Sequence, residues 1–205
     1  MNDVSAMNIT LPLTLDGKSV RLEPIRPEHA AIFWNIAQHD VEEIFRWIPY
    51  PMQTRGDFGK LIDKIFEEQQ RGESVAFATV ERASGQTVGS TRFMNIDRAN
   101  RRVEIGSTWI VPAWQRTAVN TEAKYLMLCH AFEVWNCFRV ELKTDALNQK
   151  SRNAILRIGA KEEGTLRRHL LTRTGRVRDT VYFSILDSEW PEVKRQLKEY
   201  LATRR

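Results

Sequence analysis

Val103-Glu-Ile-Gly-Ser-Thr-Trp-Ile-Val111, then Pro112-Ala-Trp-Gln-Arg-Thr-Ala-Val-Asn120, then a mostly apolar run to Trp135, is the stretch on which the fold turns. β-Branched and aromatic residues predict a strand over Arg102–Val111. Asn120 suits a helix cap and Glu122 the positive first turn, so a helix is predicted over Asn120–Trp135. Its residues Ala123, Leu126, Met127, Leu128, Ala131, Phe132 and Val134 cover most of its circumference, which buries it deeply. Phe138, Val140 and Leu142 then alternate along a further strand, Phe138–Thr144. A strand, helix and strand in that order imply one parallel pair.

Working outward, Val75–Glu81 and Thr87–Ile96 are joined across Ala83-Ser-Gly85, and Asp97–Asn100 turns the chain into Arg102–Val111. Such short connections make an antiparallel meander. Before it, Leu11–Leu15 and Ser19–Pro24 flank Asp16-Gly17, a strong hairpin signal. Pro27 opens a helix with Ala30, Phe33, Trp34 and Ala37 on one face. The prolines hold Trp47–Pro51 extended, and Asp57–Arg71 is a helix ended by Gly72. After the meander, Lys150–Ile158 is a helix closed by Gly159. Gly164–Leu171 and Val177–Leu186 form a hairpin over Thr174-Gly175, and Pro191–Ala202 is a last helix. The order predicts an α+β fold, a mixed and mostly antiparallel central sheet flanked by helices. Residues 1–10 read as a flexible leader, 11–188 as one domain, and 189–205 as a C-terminal helix packed on the domain or extending from it.

The 205 residues can bury a core without metals or disulfides. Cys129 and Cys137 lie in apolar surroundings, and neither they nor His29, His39, His130 and His169 show metal-ligand spacing. No apolar run reaches the length of a membrane span and no secretory signal opens the chain, so a cytoplasmic protein is expected. The net charge of +5 and the basic set Arg167, Arg168, Arg173, Arg176 and Arg178 could attract nucleic acid. Interleaved Glu162, Glu163 and Asp179, and the lack of any nucleic-acid signature, favour a solvated hairpin instead.

A strand that runs directly into a helix N-terminus offers unpaired N–H groups and a positive dipole end, an anion site suited to a pyrophosphate. Residues from about Leu15 to Leu186 resemble the GCN5-related N-acetyltransferases, in the branch of the ribosomal-protein N-terminal acetyltransferases (RimJ/RimL type). That family's signature is Gln or Arg, two residues, Gly, one residue, then Gly or Ala. It falls on Gln115–Asn120, with Ala118 and Asn120 in place of the two small or glycine positions. Asn148-Gln-Lys-Ser151, with Ala154 and Gly159 beyond, resembles the family's second pattern.

The resemblance implies the acyl-CoA N-acyltransferase fold and acetyl-CoA as cofactor, with coenzyme A as product. The implied reaction is direct transfer of acetyl, in a ternary complex, to a primary amine on a protein or peptide N-terminus or a small molecule. It also implies cofactor contacts from Trp109, Ile110 and Val111 on the strand, from Gln115, Arg116, Thr117, Ala118, Val119, Asn120 and Thr121 at the helix, and from Asn148. Ser151 becomes the acid for the departing thiolate, because Ile155 stands where many members carry a Tyr. Helix capping is the plainer role for Asn148 and Ser151. Arg157 reaches the cofactor's 3′-phosphate or is a solvated charge.

An amine attacks only when neutral, so a carboxylate is sought to take its proton. Glu104 is the candidate, against the alternative of an outward Glu paired with Arg92 or Arg101. A backbone N–H of Ile110 or Val111 would steady the developing oxyanion. Trp47 and Tyr50 would wall the acceptor cleft, or else belong to a satellite apolar cluster with Ile48 and Phe58. Two other readings stay open: an acyl-CoA-binding module without turnover, and a basic ribosome- or RNA-associated protein. A homodimer is compatible with each.

Overall fold

The computed structural model describes residues 7–203. Its sheet has eight strands: β1 (Leu15–Asp16), β2 (Val20–Pro24), β3 (Val75–Glu81), β4 (Thr87–Asp97), β5 (Arg102–Ile110), β6 (Arg139–Asp145), β7 (Lys161–Leu171) and β8 (Val177–Leu186). They lie in the order β1-β2-β3-β4-β5-β6-β8-β7. Neighbours run antiparallel except β5 and β6, which are parallel, so the α+β class and the single crossover stand as read. The helices are α1 (His29–Ala37), α2 (Val41–Ile44), α3 (Arg55–Gln70), α4 (Ala118–Cys129), α5 (Gln149–Arg157) and α6 (Trp190–Thr203).

Each face of the sheet carries its own core. On one face α4 lies against Leu22, Phe77, Phe93, Val103, Ile105, Val140 and Phe183, and α6 adds Trp190, Val193 and Leu197. On the other, α1, α2 and α3 cover Ala76 and Ala78 of β3 and Trp109 of β5. Two alanines leave room for Trp109, whose ring meets Phe33, Phe45 and Phe58 edge-on at 5.2, 5.3 and 6.4 Å. Such pairings add to the gain from burial alone.

The N-terminal hairpin is tied to α4 by one carboxylate. Glu122 Oε1 accepts from the Lys18 N–H at 2.9 Å, and Oε2 accepts from the N–H groups of Ser19 at 2.6 Å and Val20 at 2.9 Å. This is more than the first-turn dipole partner that the sequence suggested. The hairpin turn has wrapped three backbone donors around a buried acid. Gly17 is required for that approach: a Cβ there would stand 2.7 Å from the Glu122 carboxyl carbon and 2.9 Å from the Val20 carbonyl oxygen.

Several boundaries differ from the sequence reading, each for a local reason. α4 begins at Ala118 and is capped by Thr117, whose hydroxyl accepts from the Val119 N–H and donates to the Trp114 carbonyl. Asn120 therefore sits inside the first turn and is not the cap. The helix continues past Cys129 as a π-helical turn, His130–Val134. α3 starts at Arg55 because Thr54 and Asp57 form a reciprocal capping box, a signal present in the sequence and passed over. Met7 is buried in the α4-side core and Ile9 packs against it, so this part of the expected 1–10 leader is anchored; residues 1–6 lie outside the described chain. β7 starts at Lys161, three residues before the predicted Gly164. Gly159 has φ +92 and abuts Val193 of α6, where a Cβ would come within 2.9 Å of a methyl carbon.

Replacing Glu122 by Ala strands three backbone donors and is expected to cost about 3 kcal/mol, since each unmet buried donor costs ~1–3 kcal/mol. Glu122→Gln keeps one accepting oxygen and should lose roughly half as much. Urea unfolding with an unchanged m-value would measure both, and equal stability of all three proteins would refute the clamp.

Candidate active site

The site begins with a defect in β5. Ser90 faces Trp109 and Arg92 faces Gly106, so Thr91 alone opposes both Ser107 and Thr108. The extra residue is absorbed at Ser107, which takes φ +47. A bulge of this kind reverses the alternation of side chains beyond it. Val103 and Ile105 point to the α4 face before the bulge, and Ile110 points there after it, while Trp109 joins the opposite core. Glu104 precedes the bulge, so by alternation it shares the face of Ser107 and Trp109.

On the other side, β5 pairs with β6 only at Arg102, Val103 and Glu104. Beyond that the two strands diverge into a V. The Val111 N–H donates to the Val88 carbonyl on β4 at 2.9 Å. Alternation then turns the amide of Ile110 toward the V. Its carbonyl accepts there from Gln115 Nε2 at 2.8 Å. The Val111 N–H is therefore already engaged, and of these two amides only that of Ile110 turns toward the V. The Trp109 side chain is committed to the aromatic core, so this residue could contribute only main chain to a cofactor.

A 3-10 turn, Pro112–Trp114, joins β5 to the first turn of α4. Arg116 holds the left-handed conformation, φ +64, whereas Ala118 and Asn120 are helical. The departures from glycine at 118 and 120 thus carry no backbone strain. The Asn120 Oδ1 is buried in that turn without a hydrogen-bond partner. Arg157 reaches the same turn: its Nη2 lies 3.4 Å from the Thr121 hydroxyl, and its guanidinium sits 5.6 Å from the Tyr200 ring centre. Its charge is tethered by these contacts and is not a free-floating one.

α5 borders the V from the β6 side. Asn148 caps it, its Oδ1 accepting from the Ser151 N–H at 3.1 Å, so the plainer capping role is observed for Asn148. Lys150 donates to Gln115 Oε1, and Gln115 in turn holds Ile110. This chain spans the V from α5 to β5 and brings Ile110, Gln115, Asn148 and Ser151 into one neighbourhood.

On the Trp109 face, Glu104 is paired with neither Arg92 nor Arg101. Its Oε2 accepts from Lys143 Nζ and from Asn95 Nδ2, both at 2.8 Å. Burial opposes the Lys143 charge, but the Glu104 carboxylate more than offsets it and raises the lysine above its ordinary range. Oε1 is directed toward the space above Gly106, 2.9 Å from where a Cβ would stand. Tyr50 lies close by, its hydroxyl 3.4 Å from the Ser107 hydroxyl. Trp47 is farther along, between the guanidinium groups of Arg46 and Arg176, and its carbonyl accepts from Arg178. Ile48 and Tyr50 pack against the aromatic core with Phe58, so the satellite cluster is present for those three residues, and Trp47 is not part of it. Within the basic hairpin, Arg173 pairs with Glu42, and Arg176 and Arg178 share Asp145.

Lys124 is the residue that sequence reading missed. It is 6% exposed, and its Nζ bonds only the hydroxyls of Thr91 and Thr108, the residues that straddle the bulge. Burial pushes its ammonium down to about 7. The signal was available: Lys124 falls on the same helical face as Met127 and Leu128, three and four residues on.

The Acetyltransferase (GNAT) domain profile matches residues 19–161. Among curated relatives, the Bacillus subtilis protein named "Putative ribosomal N-acetyltransferase YdaF" is 36% identical over 106 residues. That match covers 52% of this chain and 57% of the relative, so it spans little more than half of that protein's length. A GCN5-related N-acetyltransferase from Brucella melitensis superposes with a TM-score of 0.88 and 32% identity, covering 98% of this chain and 90% of the other. RimJ of Mycobacterium smegmatis, solved with CoA-disulfide, shares the fold at a TM-score of 0.82 and 24% identity over 95% and 96% of the two chains.

A lysine whose folded pKa lies below its unfolded 10.5 binds fewer protons folded than unfolded between those values, so stability rises with pH across that window. The wild type is therefore expected to gain stability from pH 7 toward pH 10, with Lys124 contributing about 1.4 kcal/mol per unit of depression. Lys124→Met should flatten that rise and raise the melting temperature most at and below neutral pH. Parallel stability–pH curves for the two proteins would show that Lys124 is not the source.

From the domain match over most of its length and the superposition with the Brucella protein, the chain belongs to the GNAT acetyltransferase family, and one curated relative it resembles is named a putative ribosomal N-acetyltransferase.

Proposed function

We propose that the protein is a cytoplasmic acetyl-CoA-dependent N-acetyltransferase acting on a primary amine, on a protein or peptide N-terminus or a small molecule. The observation that carries this reading is the V between β5 and β6, with the Ile110 amide turned into it and the first turn of α4 at its open end. The residues fit the cofactor. The turn N–H groups of α4 suit a pyrophosphate, the left-handed Arg116 spares Ala118 and Asn120 from strain, and the V offers an unpaired strand to an amide-bearing arm. Among the described residues no helix is long and apolar enough to cross a membrane.

Bound acetyl-CoA would supply an acyl group activated as a thioester. The chain's own residues would do the rest. The Ile110 N–H would donate to the acyl oxygen, an interaction most effective where water is excluded. Glu104 Oε1, directed toward Gly106, would accept the amine's proton directly or through a water, while Lys143 and Asn95 hold the other oxygen. Ser151, near the end of the cleft bounded by Asn148, would donate its hydroxyl proton to the leaving sulfur and take one back from water. Gln115, Thr117 and Arg157 position the cofactor, and Tyr50 and Trp47 wall the acceptor side.

Acetyl-CoA at ~100 times its Kd should add ~2.7 kcal/mol of stability, raising Tm by roughly 5–10 °C. No shift at millimolar cofactor refutes the reading. A shift without thiol release on any panel of N-terminal peptides, amino acids and amines would leave an acyl-CoA-binding module. Ser151→Ala should lower kcat by about a hundredfold while cofactor affinity changes by no more than about threefold. Unchanged kcat would remove Ser151 from the acid role.

A further inference from the structure

The Trp109 face contains a small cavity between the 45–65 segment and strands β4 and β5, with about 10 Å³ open to a water-sized group. Its walls include Phe45, Ile48, Met52, Leu61 and Trp109, and the polar residues Arg92, Ser90, Ser107 and Tyr50 also line it. The Ser90 hydroxyl is spent on the Phe77 carbonyl at 2.9 Å. Arg92 is not so fully used. It is 4% exposed, one terminal nitrogen donates to Glu68 Oε2, and its Nε is buried with no hydrogen-bond partner.

A guanidinium carries five N–H donors and cannot shed its charge, so an unmet one in an apolar wall is costly unless something arrives to accept from it. Arg92 also lies in the right place for the acceptor. It pairs across the strands with Gly106, toward which Glu104 Oε1 is directed, and it lines the same cavity as Ser107 and Tyr50.

Resting on the N-acetyltransferase reading above, we propose that Arg92 is a specificity-determining residue, donating to a neutral oxygen, hydroxyl or carbonyl, on the small group beside the acceptor amine. Neutrality follows from Glu68, which already balances the guanidinium; a second carboxylate would meet the Glu68 charge at close range in a poorly screened site. Size follows from the cavity, which has room for about one water-sized group. Discrimination follows from chemistry: a site built to hydrogen-bond a substrate oxygen strongly rejects the analogue lacking it, whereas an apolar pocket barely distinguishes the two.

The test is kcat/KM on matched amines that differ by one oxygen. Peptides beginning with Ser, Ala, Thr, 2-aminobutyrate or Asp form one arm, and 2-aminoethanol against propylamine forms the other, which separates peptide from small-molecule sources. The wild type is expected to favour the neutral oxygen-bearing member by about tenfold or more, with Asp below Ser. Arg92→Lys keeps a cation opposite Glu68 but has no Nε, and should shrink that preference to about twofold or less. Because that variant could fail to fold, Arg92→Met combined with Glu68→Leu removes both charges and is expected to abolish the preference. Turnover indifferent to the oxygen, or a preference that survives in either folded variant, overturns the proposal alone. Absence of turnover on every amine overturns the acetyltransferase reading and the proposal with it.

Discussion

The site depends on the opposition of one residue, Thr91, to two, Ser107 and Thr108. Without that bulge, β5 would keep a single alternation from Val103 to Ile110. Trp109 would then point to the α4 core that Val103 and Ile105 already fill, and the opposite face would lose its central aromatic. With the bulge, one strand supplies Val103 and Ile105 to one core, Trp109 to the other, and Glu104 and Ser107 to the cleft. The distortion is held from beneath by Lys124, whose amine bonds the Thr91 and Thr108 hydroxyls and has no carboxylate bonded to it. A neutral amine fits such a site better than an ammonium, which is why burial lowers its pKa so far.

Around that strand the charges are arranged in pairs across the Trp109 face. Glu68 meets Arg92, Glu104 meets Lys143, and Asp145 meets Arg176. Each pair is partly or wholly removed from water, so its value lies less in net stability than in fixing which atoms remain open. Glu104 is the clearest case. Both of its donors converge on Oε2, so Oε1 is left toward Gly106. A carboxylate held by one oxygen and open at the other can take up a proton without losing its place.

Much of the fold was legible because its signals are local. The Asp16-Gly17 hairpin, the meander, the buried α4 and the lone parallel pair follow from alternation, turn residues and helical spacing. The capping box at Thr54 was equally local and simply overlooked. What escaped is tertiary. Nothing in residues 7–9 says that Met7 would enter a core formed mainly more than sixty residues later. The partners of Glu104 lie nine and thirty-nine residues away, and the sequence suggested two arginines that turned out to serve Glu68 and the Phe138 ring. The Gln115–Asn120 turn is marked by its spacing, yet its left-handed residue is Arg116 and not either of the positions where glycine is usual. Spacing identifies the loop; only the backbone shows where it bends.

The Glu122 clamp bears on how the chain acquires this shape. Its three bonds join residues separated by 102 to 104 positions. The turn at Gly17–Val20 emerges from the ribosome early and must wait for α4 before its donors are satisfied. Contacts of such sequence separation close late and slow the search, because loop entropy must be overcome first. The β1–β2 ribbon is therefore set to be among the last parts to lock, and the start of α4 completes its setting only then. In a nascent or partly unfolded chain, an exposed two-stranded ribbon and an unanchored α4 would be the surfaces open to chaperones and to self-association.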